Sequence, residues 1–103
     1  MVAKTRPVRA ESYRRWVASH PCFSCGLEGQ SQCAHANGGG MGTKASDLET
    51  FPLCCARPGF MGCHQMFDLC IGMTKATRRE LTAAYVVRMQ DLARKAGRKE
   101  FAE

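Results

Sequence analysis

Seven cysteines in 103 residues constrain this chain more than any other feature. Cys22 and Cys25 stand in a Cys-x-x-Cys spacing, which lets two thiolates converge on one cation, as in zinc knuckles. Disulfides are the competing use of so many thiols. Against them, the count is odd, and the start, MVAKTRPVRAESYRRW, is basic without the apolar core of a secretory signal. Glu11 and the immediate run into domain-like sequence also argue against a mitochondrial presequence. Structural zinc in a cytoplasmic setting is the expectation.

The length fits one domain with a modest core, for which a metal cross-link is a substantial aid. Wholly apolar runs are short, such as Tyr85-Val86-Val87, whereas a membrane span needs about 20 apolar residues. No membrane association is expected. Fifteen basic residues against nine acidic ones give a net charge of +6. That excess suits nucleic acid, whose phosphates are neutralised with release of counterions, but it also describes a basic surface with no partner.

Residues 1–10 read as a flexible basic arm interrupted by Pro7, and residues 11–97 as the single domain. Glu11 to His20 suits a short helix with Tyr13, Trp16 and Val17 on one side, ended by Pro21. Gly26 allows the tight turn of the knuckle. Gln32 to Ala36 reads as a strand, Gly38 to Ser46 as a loop, and Leu48 to Cys54 as a second strand limited by Pro52. A turn-rich insert leads to a helix from Cys63 to about Ile71, with Cys63, Phe67 and Cys70 on one face and Gly72 as its stop. The last helix, about 75–96, is the best-marked element. Thr77-Arg78-Arg79-Glu80 has the form of a capping box, and Leu81, Tyr85, Met89, Leu92 and Ala96 follow at helical spacing. Gly97 closes it, leaving 98–103 as a tail.

Two further ligands must complete a tetrahedral site with Cys22 and Cys25. Cys54, at the end of the second strand, and Cys63, at the start of the next helix, would tie the knuckle to that corner. Cys55 is an alternative to Cys54, because spacing alone does not separate adjacent residues. Cys33 and Cys70 read as small buried hydrophobes.

If Cys63 faces zinc, His64 points elsewhere, since consecutive helical side chains diverge by about 100°. His64 and Asp68 lie one turn apart on a common face, where they can form an ion pair or hold a divalent cation. Upstream, His35 on a strand precedes a glycine loop followed by Lys44 and Asp47. A neutral imidazole there is suited to take a proton from water.

The string AHANGGGMGTKASD…C…CHQMFD resembles the small phage- and prophage-encoded HNH-like endonucleases associated with recombination, of the YbcO type. The likeness covers about residues 22–70. It implies an α+β fold with a zinc-stabilised ββα-metal core at 22–72, an added N-terminal helix and a longer C-terminal one. It further implies that His35 is the general base, that Asp47 orients it, and that His64 and Asp68 hold a catalytic Mg²⁺ or Mn²⁺. Cys22, Cys25, Cys54 and Cys63 fall at the zinc positions. The products would carry 5′-phosphate and 3′-hydroxyl ends. Ala34 departs from the pattern, because many HNH proteins place a further metal ligand immediately before the base. The insert between Cys54 and Cys63 is also longer than the usual spacing.

The function expected on this basis is metal-dependent cleavage of DNA, with branched or single-stranded forms among the substrates and a homodimer suited to paired cuts. Lys44, Arg57, Arg14 and Arg15 are candidate phosphate contacts, together with Arg6 and Arg9 of the arm; solvated surface charge is the alternative for each. A zinc-stabilised nucleic-acid-binding module without catalysis uses the same cysteines and charge. An adaptor presenting the Leu81–Leu92 helix within a recombination complex is the remaining class.

Overall fold

The structure, a computed structural model, describes residues 10–36 and 46–101. The arm through Arg9, the glycine loop with Lys44, and the last two residues lie outside the described part. The chain is α+β: helix α1 (Glu11–Ala18), strands β1 (Ser31–His35) and β2 (Thr50–Cys54), helices α2 (Cys63–Asp68) and α3 (Lys75–Lys95), and a 3₁₀ turn at Lys99–Phe101. The strands pair antiparallel, with Ala34 opposite Phe51 and His35 opposite Thr50.

An isolated two-stranded hairpin is marginal in water, so its faces must be covered. Here every residue of β2 is buried. Successive strand residues point to opposite sides. Phe51 therefore meets Phe67 of α2 and Tyr85 of α3, with ring centroids 5.7 and 5.3 Å away. On the other side, α1 buries Tyr13 and Val17 against the hairpin. From α3, Met89 and Ala93 complete the core.

Pro52, expected to limit the second strand, sits at its centre opposite Cys33. Its carbonyl points away from β1 and accepts the N–H of Phe23 at 2.9 Å. A residue's N–H and C=O point to the same side of a strand, so the missing donor faces outward and costs no ladder bond.

Three boundaries differ from the sequence reading. The side chain of Thr74, not Thr77, caps α3, with its hydroxyl accepting the Thr77 N–H at 3.0 Å. Residues 98–101, read as part of a tail, pack against α1. Phe101 packs against Tyr13 with ring centroids 5.5 Å apart, and the Arg98 guanidinium lies over the Tyr13 and Trp16 rings. Helix α2 ends before Cys70, which takes the left-handed conformation at φ 57° ahead of Gly72. The Ile71 N–H returns to the Met66 carbonyl at 2.9 Å, the six-to-one bond of a Schellman ending.

A residue with a Cβ pays backbone strain in that conformation, and glycine does not. Cys70→Gly is expected to stabilise the metal-loaded protein by about 0.5–1 kcal/mol. Urea denaturation checks this, and a fall in stability would show that the thiol's packing outweighs the strain.

Candidate functional site

Cys22, Cys25, Cys54 and Cys63 converge, with all four Sγ atoms within 4.8 Å of one another. Tetrahedral zinc with Zn–S bonds of about 2.3 Å requires sulfurs about 3.8 Å apart. Cys25 and Cys54 already stand at 3.8 Å. Cys55, the alternative ligand, points away, with its thiol 3.6 Å from Gln30 Oε1. The four cysteines can thus hold a metal ion such as zinc.

Local backbone geometry builds this cluster. The Cys22 sulfur accepts the N–H groups of Ser24 and Cys25, at 3.3 and 3.4 Å, as the chain turns through Gly26. The Cys54 sulfur accepts the Cys63 N–H at 3.3 Å. The long insert between these two ligands folds back on itself through Pro58 and Gly59, with Arg57 and Phe60 exchanging backbone hydrogen bonds at 2.9 Å. Extra residues are thereby looped out while the two thiols meet. At the close of the insert, Gly62 has φ 87°, and a Cβ there would lie 2.5 Å from the Cys55 carbonyl carbon.

Burial raises the thiol of Cys54, but the Cys63 N–H, the Arg57 guanidinium and the neighbouring thiols outweigh it and bring it down to about 6. Cys63 moves the other way, to about 12, through burial first and then the thiols of Cys54, Cys25 and Cys22. Arg57, a candidate DNA contact in the sequence, is here an electrostatic partner of the thiol cluster. It donates to the Cys55 carbonyl at 3.3 Å and stacks over Phe60.

A polar group forms at the end of β1. His35 Nε2 lies 2.8 Å from Asp47 Oδ1, while Asp47 Oδ2 accepts the Ala10 N–H at 2.8 Å and faces Arg14 Nε at 3.0 Å. Asp47 itself is buried, fixed in a turn where Thr50 Oγ1 donates to its carbonyl at 2.8 Å. Burial pushes its carboxyl up, but the bonds from His35 and Ala10 and the charge of Arg14 hold it below the usual carboxylate range. Arg14 thus turns its Nε to Asp47, and Arg15 pairs with Glu11 on the surface.

The second polar group is on α2. His64 Nε2 and Asp68 Oδ2 are 3.6 Å apart, and His64 Nδ1 lies 3.0 Å from Gln32 Oε1. With Ala56, Met61 and Gln65 these residues line a cavity of about 200 Å³. Gln32 and Ala34 share the hairpin face turned to α2 and α3, whereas His35 lies on the α1 face. The structure joins His35 to Asp47 and His64 to Asp68, but does not gather all four into one pocket. Gln32 escaped the sequence reading, although strand alternation places it beside Ala34 on the face that meets the helix.

A small α+β protein with a four-cysteine cluster that can hold a metal ion is the class these features define. Residues 2–61 match the family described as "Protein of unknown function (DUF968)", and the chain belongs to that family. The match includes Cys22, Cys25, His35, Asp47 and Cys54, and ends before Cys63. The chain is also similar to uncharacterized protein YdfU of Escherichia coli (strain K12), 49% identical over 47 residues. That stretch is 43% of this chain and 13% of YdfU. No solved structure matches the chain. Among the described residues, no helix is long and apolar enough to cross a membrane.

Metal analysis of protein purified without chelator is expected to find about one zinc per chain. Gly62→Ala, which forces the backbone after Cys54 aside, should lower that content and destabilise the protein by about 2–4 kcal/mol. A folded, metal-free chain would overturn the assignment.

Asp47→Asn removes the buried charge that pairs with Arg14 and leaves one acceptor oxygen for the Ala10 N–H and His35, and should cost about 2–4 kcal/mol near neutral pH. Because the folded carboxyl titrates below its unfolded value of about 3.9, the advantage of wild type is complete above that pH. It fades as pH falls through the lower folded value. Denaturant curves for both proteins at several pH values check the trend, and a gap that widens in acid would contradict it.

Proposed function

We infer that the chain is a metal-dependent DNA endonuclease of HNH-like type, hydrolysing phosphodiester bonds with His35 as general base. The observation that carries this reading is the His35–Asp47 pair. A carboxylate bound to Nε2 favours the tautomer with the proton on that nitrogen, so Nδ1 keeps a lone pair for a water proton. The imidazolium formed by that transfer is stabilised by the same carboxylate. The water oxygen attacks phosphorus in line, and the bond to the 3′-oxygen breaks.

A divalent cation on His64 and Asp68, Mg²⁺ or Mn²⁺ by ligand type, would supply Lewis-acid stabilisation of charge on the phosphate and leaving oxygen. The histidine, carboxylate and open cavity suit such an ion, which retains water and phosphate oxygens as ligands. The four-cysteine site supports the scaffold, and the net charge of +6 favours DNA as partner. A bacterial or phage cytoplasm is the setting this reading implies, and a homodimer would suit paired cuts.

A non-catalytic, zinc-stabilised nucleic-acid-binding module is the second reading. It is favoured by the placement of His35 and His64 on opposite hairpin faces. Gln32, which touches His64, is three residues from His35, a separation of about 10 Å along the strand.

Supercoiled plasmid and branched DNA, incubated with Mg²⁺ or Mn²⁺, should be nicked by wild type. His35→Ala should lose about 10²–10⁴-fold in rate while keeping zinc content and DNA binding. If rigorously purified wild type cuts no DNA form with any divalent ion, the binding module stands instead.

A further inference from the structure

We propose that Gln32 is a positioning residue that holds His64 in the Nδ1–H tautomer and turns its Nε2 lone pair toward Asp68. The inference deepens the cation site proposed above and rests on that reading for its functional meaning. Two acceptors compete for the single proton of a neutral His64 ring. Gln32 Oε1 stands 3.0 Å from Nδ1, within hydrogen-bond range, whereas Asp68 Oδ2 stands 3.6 Å from Nε2, beyond it. The proton belongs on Nδ1, and Nε2 is left as an electron-pair donor beside a carboxylate oxygen.

Such an outer partner is what a metal-ligating imidazole requires, because the hydrogen bond at one nitrogen fixes both the tautomer and the ring's direction at the other. Alternation along β1 puts Gln32 on the face that meets α2, and Ala34, next on that face, is buried and offers no ligand atom. The strand therefore contributes to this cavity through Gln32, across the sheet–helix interface. Met61 and Ala56 line the cavity beside the pair. Gln32 is itself exposed, so replacing it leaves the core and the cysteine cluster intact.

The test uses the zinc-loaded full chain, with Gln32→Leu removing the acceptor and Gln32→Glu retaining one. Long-range ¹H–¹⁵N correlation spectra read the protonated nitrogen of His64, and water-proton relaxation reads the binding of Mn²⁺. Wild type should show Nδ1–H. Gln32→Leu should shift the proton to Nε2 and weaken Mn²⁺ binding about tenfold or more, while Gln32→Glu should preserve both signatures. A neutral wild-type His64 protonated on Nε2, or Gln32→Leu matching wild type in its spectrum, overturns the proposal. The Nδ1–H signature present in wild type and lost in Gln32→Leu, with no Mn²⁺ bound by either, upholds the positioning role and defeats the cation reading instead.

Discussion

Convergence of Cys22, Cys25, Cys54 and Cys63 is the constraint on which the rest of the structure depends. The ligands come from the knuckle, the end of β2 and the start of α2, so one ion would tie three segments together at a single point. Binding of zinc to small cysteine sites is worth about 10–16 kcal/mol in apparent free energy, comparable with the whole stability of a domain. The described core has few large side chains, with Tyr13, Phe51, Leu53 and Met89 the principal fully buried ones. Removing the ion would also leave four thiols crowded together, and the opposite displacements of Cys54 and Cys63 express that conflict.

Around this corner the hairpin acts as a partition. Its α1 side carries His35, Asp47 and Arg14, a network closed by the backbone of Ala10. Its α2 side carries Gln32, His64 and Asp68, more open to solvent and bordered by a cavity. The two groups differ in character as well as place: the first is anchored on a buried carboxylate, the second on an exposed one.

Features encoded by local spacing were legible in the sequence. The Cys-x-x-Cys knuckle, the helical stripe through Tyr85 and Met89, and the one-turn separation of His64 and Asp68 each follow from a short repeat. The choice of Cys54 over Cys55 was not legible, because it turns on which thiol the end of β2 directs inward. Thr77 looked like the cap of α3 because Glu80 completes a familiar pattern, yet Thr74 sits where the backbone first becomes helical. Cys70 was misread as part of a helical face because nothing local marks a non-glycine residue for a left-handed ending. Arg14 looked like free surface charge because its partner Asp47 is distant in sequence. Arg57, only three residues past Cys54, looked so because nothing in the sequence shows that the chain turns its guanidinium back to that thiol.

The outward carbonyl of Pro52 has a consequence for how this small sheet avoids growth. A bare strand edge recruits further strands through its unpaired N–H and C=O groups. Here proline removes one donor from the outer edge of β2, and the Phe23 N–H occupies the adjoining acceptor. Phe23 lies between the knuckle cysteines, so an ion held by Cys22 and Cys25 would keep that cover in position. Without such an ion, release of the knuckle would expose the edge of β2 that Phe23 covers.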